Sequence, residues 1–188
     1  MSALLSLRQA VIDGIKAKLP PQWDVAGHLG RFAAADLNAF LLKAPAVRVA
    51  ILGLTDSRRV DDDAIECRVR IGIFVIAKDR LVKLEREEIA AVAVETIVLL
   101  SLGQRWGLAF AKAAEPATAQ LISSDETLAK GVALWAIDLP QPAVLARPEG
   151  ETWPLTEIYL GLAPEIGPEH VADYIGPITA TGTVTPDA

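Results

Sequence analysis

The sequence predicts an α+β protein, in which a small, mostly antiparallel β-sheet carries packed helices and a proline-rich C-terminal arm follows. Between Ile65 and Ala77 every second residue is apolar, and because successive side chains of a strand point to opposite faces, this stretch predicts a long strand with one apolar face. The apolar run from Leu84 to Leu102 predicts a helix. Eight of the twelve prolines follow Leu139, and they make helices and central strands hard to build there.

The first quarter of the chain predicts one helix, a connection and a strand. Ser2 can cap a helix that ends before Pro20 and Pro21, and its apolar residues recur at helical spacing: Leu4, Leu7, Val11 and Ile15. We expect an irregular connection over residues 22–35 and a short helix over residues 36–42. The first strand is predicted for residues 47–54.

A charged hairpin is predicted in the middle of the chain. Residues 55–64 are polar and separate two strand patterns, which favours a hairpin with a charged tip. On the second face of the long strand, Gly72, Phe74 and Ile76 follow three charged residues, Glu66, Arg68 and Arg70. We therefore expect the first half of that face to meet water or a polar partner and the second half to be covered.

The second half of the domain predicts one helix and two strands. Acidic residues begin the helix of residues 84–102 and Gly103 stands where a C-terminal cap is expected, while the many apolar residues predict packing on two sides. Strands are predicted for residues 117–123 and 131–139, and the second, apolar on both faces, is predicted to be central.

Domain organisation follows from the prolines and the charge. We expect an α+β domain over residues 1–140 and an acidic, proline-rich arm over residues 141–188, with a flexible tip after residue 178. Trp153, Tyr159 and Tyr174 are the aromatic residues through which the arm could contact a neighbour. An arm that folds back over its own domain is the alternative.

Composition argues against several functions. The net charge of −6 argues against general nucleic-acid binding, and Cys67 is the only cysteine, which leaves no internal disulfide and no cysteine-based zinc site. His28 and His170 lie outside any catalytic motif, so no enzyme activity and no cofactor is predicted. No apolar run is long enough to span a bilayer, and we expect a cytoplasmic location.

The run Asp61, Asp62 and Asp63 raises the question of a metal site. Its oxygens suit a hard cation, but the spaced ligands and terminal glutamate of a calcium loop are missing, and consecutive carboxylates cannot all face one ion. A solvated turn, or a loop that forms salt bridges to a neighbouring subunit, is favoured.

In the order of its predicted elements and in its local sequence, the chain resembles the Mu-like bacteriophage tail terminator proteins over residues 2–140. After a leading helix, the segments that carry the resemblance are residues 74–80 (FVIAKDR), the long helix, and residues 103–108 (GQRWGL), 121–124 (LISS) and 131–137 (GVALWAI). The resemblance implies a tail-terminator-like sheet with packed helices, assembled as a hexameric ring that caps the finished tail tube.

The implied partners are other copies of the chain, the tail tube protein, the sheath of a contractile tail, and a neck or head-completion protein. DNA could pass through such a ring without sequence-specific binding, and the implied location is the head-proximal end of the tail. From charge and exposure, we assign contact with the ring or tube to the hairpin tip: Arg58, Arg59, Asp61, Asp62 and Asp63.

Two alternatives remain at this point. One is a different neck or tail-completion subunit of the same fold. The other is a small cytoplasmic enzyme or ligand-binding domain that uses Trp106, Trp135 and the Asp61 to Asp63 loop around a pocket, although tryptophans at such positions are more often packing residues.

Overall fold

The computed structural model describes residues 2–30, 44–78, 85–123, 131–147, 158–160 and 175–178. The chain divides into two compact units, Met1–Ala146 and Arg147–Ala188. The first unit is an α+β fold, as predicted, with two helices on a five-stranded sheet. Its elements are α1 (Ala3–Lys16), β1 (Asp24–Gly27), β2 (Ala46–Asp61), β3 (Ala64–Lys78), α2 (Glu85–Ser101), β4 (Thr118–Leu121) and β5 (Val132–Ala146).

The sheet has the strand order β1-β2-β3-β5-β4. Only β1 and β2 are parallel, and the other neighbours are antiparallel. The long strand β3 pairs along its whole length with β5, from Ala64 opposite Ala146 to Lys78 opposite Val132. The predictions of a long strand and of a central strand after residue 131 are therefore confirmed.

Both helices pack on one face of the sheet, which we call the helix face. Alternate residues of β3 on this face are buried together with residues of α1 and α2, including Ile71, Ile73, Leu7 and Ile97. On the opposite, outer face, Phe74 and Ile76 are buried, whereas Glu66, Arg68 and Arg70 are partly exposed. This is the predicted division of the long strand into a half-covered and a fully covered part.

The connection predicted for residues 22–35 contains a strand that the sequence did not predict. β1 has only four residues, too few for a clear alternation. Its place is fixed by Arg48 of β2, which is buried and donates to the Asp24 carbonyl at 2.7 Å and to the Asp24 carboxylate at 2.5 Å. A buried guanidinium needs such partners, and here they join two parallel strands.

The hairpin is longer than predicted, because β2 continues through the polar segment to Asp61 and only Asp62 and Asp63 connect it to β3. The prediction of a polar connection over residues 55–64 is wrong because the charged residues pair across the strands instead of forming a loop. The register shifts between Ile51 and Gly53, between Thr55 and Arg58, and between Arg59 and Asp61. Three bulges therefore bend and twist the outer half of β2.

β5 also exceeds its prediction, because it passes through Pro140 and Pro142 and ends at Ala146 instead of Leu139. The carbonyls of these prolines accept from the backbone N–H groups of Glu115 and Lys112, at 3.0 and 2.9 Å. Since the N–H and C=O of one strand residue point to the same side, the missing proline N–H groups face this irregular segment and not β3. The first compact unit accordingly extends to Ala146 rather than to Pro140.

α2 matches its predicted bounds, and the positive φ of Gly103 fits the predicted C-terminal cap. Within the single chain the helix packs on one side only, because the other side is exposed along its length at Glu88, Val92, Glu95 and Leu99. The predicted side-chain cap of α1 is wrong, since Ser2 makes no side-chain cap hydrogen bond.

The second unit contains a two-stranded antiparallel sheet formed by β6 (Ile158–Leu160) and β7 (Ile175–Ile178). β6 lies within the extended piece that the sequence predicts around Trp153 to Gly161. The predicted helix at residues 36–42 and the predicted flexible tip after residue 178 lie outside the described residues.

Candidate functional site: the projecting hairpin and the exposed side of α2

The outer part of the β2–β3 hairpin extends beyond the covered part of the sheet, and residues 54–63 are all exposed. We call residues 54–66 the projecting hairpin. Five of the predicted contact residues, Arg58, Arg59, Asp61, Asp62 and Asp63, lie on it, together with Glu66. The structure thus brings these charged residues together on one protruding element.

The charges on the outer face form a cross-strand ladder of alternating sign, which we call the charge ladder. In its first row, Glu66 binds Arg58 at 2.7 Å and Lys112 at 2.6 Å. In the second row, Arg68 pairs with Asp56 and binds Glu115 at 3.0 Å. In the third row, Arg70 binds Asp138 at 2.6 Å. The predicted site residues Glu66, Arg68 and Arg70 are therefore already partnered within the chain.

These pairs shift the titration of two groups. Hydrogen bonds from Lys112 and then from Arg58 lower the pKa of Glu66, and the hydrogen bond to Asp138 raises the pKa of Arg70. Both shifts favour the charged form, so Glu66 and Arg70 are ionised at neutral pH. The ion pairs of the ladder connect β2, β3 and β5 with one another and with the segment that contains Lys112 and Glu115.

At the tip, Arg59 binds Asp62 at 2.5 Å, and Asp61 accepts from the backbone N–H of Asp62 at 2.7 Å. Surface pairs of this kind contribute at most about 1 kcal/mol to folding. Across the described residues, no group of three or more His, Cys, Asp or Glu side chains is placed to hold a metal ion. The aspartates of the tip serve the turn and its local pairs.

The projecting hairpin also carries apolar side chains, and their exposure was not predicted from the sequence. Leu54 is 40%, Val60 46% and Ile65 38% exposed. Leu54 stands opposite Val69, which belongs to the core on the helix face, and Ile65 continues the same alternation. One side of the hairpin is therefore charged and paired, and the other is partly apolar.

A second exposed apolar surface lies on α2. Val92, Leu99 and, just past the helix, Leu102 are 58%, 73% and 63% exposed, and they follow one another at helical spacing. We call these three residues the α2 stripe. Beside it, a cleft of about 490 Å³ opens between α2 and the end of α1, lined by Trp23, Ile89 and Val92 among others. Apolar side chains in these positions are typical of a surface that another element covers.

The residues of the ligand-binding alternative do not share a site in the structure. Trp106 lies on the helix face, where it packs against Gly14 of α1, and Trp135 packs against Ala90 and its neighbours. Asp61 to Asp63 stand at the exposed tip of the hairpin. Both tryptophans act as packing residues, as the sequence analysis favoured.

Of the arm residues predicted to contact a neighbour, Trp153 and Tyr174 lie outside the described residues, and of Tyr159 the structure describes only the backbone, in β6.

None of the described helices is both long and apolar enough to cross a membrane. No protein-family model matches the chain, and no curated protein matches it either.

Proposed function

We propose that this protein is a structural virion subunit, a tail terminator that forms a homo-oligomeric ring of about six copies on the tail tube. The ring closes the tube and offers a surface to the neck or head-completion protein. The proposal rests on the resemblance of residues 2–140 and on one structural observation, the presence of two different exposed apolar patches on one chain.

A ring needs a contact between two unlike surfaces, because each subunit binds the next head to tail. The projecting hairpin and the α2 stripe are unlike in shape: the hairpin is a narrow, bent ribbon, and the stripe lies beside a cleft. We infer that the apolar side of the hairpin, at Leu54 and Ile65, packs on the α2 stripe of the next subunit. This contact removes apolar side chains from water in both partners.

The charge ladder supports the same role. Its ion pairs stiffen a hairpin that has little core of its own. The three bulges of β2 twist the edge of this strand and so disfavour unspecific pairing with strands of other molecules. The exposed charges at the tip, including Arg59 and Asp62, lie outside this apolar contact and are accessible to the tube. We propose this tip contact with the tube.

The experiment that tests this function joins light scattering with negative-stain images and tail tubes. Ile65→Glu and Leu99→Glu each place a charge in one of the two patches and are expected to prevent ring formation. Leu5→Glu is the matched control, because Leu5 is 46% exposed on α1 and belongs to neither patch. It is expected to leave the ring intact.

Mixing the variants tests the head-to-tail geometry. The Ile65→Glu protein keeps an intact stripe and the Leu99→Glu protein keeps an intact hairpin, so the mixture can form one good junction and give dimers but no closed ring. Rings from the mixture, or rings from either variant alone, would contradict the proposed contact. A wild-type ring that does not bind to the ends of tail tubes would instead contradict the virion function.

A further inference from the structure

The sheet has one well-protected edge and one open edge. The outer half of β2 carries bulges and charges, whereas β4 at the opposite edge is exposed at all four residues. From Ala117 to Ser123 the chain has no charge and no proline, and Leu121 is 54% exposed. In the described part of the chain no strand pairs with the far side of β4. Edges of this kind accept an added strand.

The register shows which backbone groups of β4 face outward. Ile122 donates its N–H to the carbonyl of Leu134 on β5, at 2.9 Å. Because the hydrogen-bonding direction alternates along a strand, Ile122, Gln120 and Thr118 face β5. The N–H and C=O groups of Ala119 and Leu121 therefore point away from the sheet, and an added strand could bind them.

The charge ladder is incomplete next to this edge. Its first two rows contain three charges each, and in both the third charge reaches across β5, from Lys112 to Glu66 and from Glu115 to Arg68. The third row ends at Asp138, which stands opposite Thr118 of β4. The second carboxylate oxygen of Asp138, Oδ1, is buried and has no hydrogen-bond partner among the residues that the structure describes.

We propose that β4 binds an extended segment of another protein, and that a Lys or Arg of this segment completes the third row by binding Oδ1 of Asp138. The basic side chain would cross the small Thr118, as Lys112 crosses β5 to reach Glu66. A cleft of about 510 Å³ on the outer face, lined by Gly72, Phe74 and Asp138 among others, leaves room for it. Backbone hydrogen bonds give the affinity, and the Asp138 pair gives the selectivity.

The charges favour another protein over a second copy of this chain. The segment after Gly131 has Arg147 as its only basic residue. On β2 and β3, five arginines already bind carboxylates: Arg48, Arg58, Arg59, Arg68 and Arg70. A basic strand from a partner also suits a chain with a net charge of −6. The proposal does not depend on the ring or on the virion role.

The test uses the full chain and short acetylated peptides in which Thr and Val alternate around one central residue: Lys, norleucine or Glu. Amide hydrogen exchange by NMR reports strand addition directly. We expect the Lys peptide to slow exchange at Ala119 and Leu121 and to bind about fivefold more tightly than the norleucine peptide. Asp138→Asn is expected to remove this preference without removing binding.

Two variants of one residue separate strand addition from side-chain contact. Leu121→Pro removes an outward N–H and no hydrogen bond of the sheet, so it should abolish binding of every peptide while the fold persists. Leu121→Thr keeps the N–H and should still bind. Three results would overturn the proposal: no protection at Ala119 and Leu121 by any peptide, equal binding of the Lys and norleucine peptides, or protection that rises with protein concentration alone.

Discussion

Trp106 donates its indole N–H to the side-chain oxygen of Gln141, at 2.8 Å, and this bond joins the loop after α2 to the central strand β5. Gln141 is fully buried on the helix face, among apolar residues. Its amide nitrogen donates to the carbonyl of Lys112 at 2.5 Å. The Gln141 side chain thus binds both the loop after α2 and the segment beside β5. This segment supplies Lys112 and Glu115 to the charge ladder.

Gln141→Leu is expected to lower the free energy of unfolding by about 2–3 kcal/mol, because it keeps the volume but leaves the Trp106 N–H and the Lys112 carbonyl without a partner. Urea unfolding measures the change. Gln120→Leu makes the same replacement at an exposed site on β4 and should change the stability by less than about 0.5 kcal/mol. Equal effects of the two variants would show that the buried bonds contribute nothing.

Gly14→Ala is expected to destabilise the protein by about 1 kcal/mol. A Cβ at this position would lie 2.7 Å from an atom of the Trp106 ring, and the bond to Gln141 restricts the ring. In a Trp106→Ala background the clash disappears, and the higher helix propensity of Ala should make the same change stabilising by about 0.5–1 kcal/mol. Thermal unfolding of the four proteins would reveal this change of sign, and its absence would count against the packing described.

Glu66→Gln is expected to make stability less dependent on pH. The pKa of Glu66 is lowered from its ordinary value of 4.5 by Lys112 and then Arg58, so its carboxylate stabilises the fold above pH 4.5. That contribution is lost as the pH falls below 4.5 and through the lowered pKa. The variant should be less stable at pH 7, and the gap should close in acid. Glu95→Gln, on the exposed side of α2, controls for the loss of one charge, and a gap that stays constant with pH would contradict the prediction.

Cys67 should react slowly with thiol reagents in the folded protein. Its side chain is 2% exposed, and burial, followed by the charge of Glu66, raises the pKa of its thiol above the ordinary 9.0. Both effects reduce the amount of reactive thiolate. We expect labelling by iodoacetamide at pH 8 to be about a hundredfold slower than in denaturant. Similar rates in the two conditions would mean that the helix face opens readily at β3.

Local patterns predicted the elements whose environment repeats along the chain. The alternation from Ile65 to Ala77 gave β3 because one face meets the same core throughout, and the acidic start and Gly103 gave α2. The end of β5 could not be predicted, because Pro140 and Pro142 are tolerated only through the irregular segment beside them. The hairpin was predicted too short because cross-strand pairs such as Arg58 with Glu66 are not visible in the sequence.

The candidate surfaces were predicted only in part. Charge and position indicated the hairpin tip, but the apolar side of the hairpin at Leu54 and Ile65 depends on its register with β3. The apolar composition of α2 cannot distinguish residues buried in the same chain from residues such as Leu99 that a neighbour could cover. Gln141 is the one amide side chain within β5, but its partner Trp106 comes from a distant loop that the sequence does not place beside it.

The most direct test of the ring is the mass of the purified protein by light scattering over a range of concentrations, with tail tubes added to the same samples. We expect a species of about six times the 20.0 kDa of one chain, or a smaller species that forms rings on the ends of added tubes. A protein that remains a monomer at every concentration and leaves the tubes uncapped would contradict it.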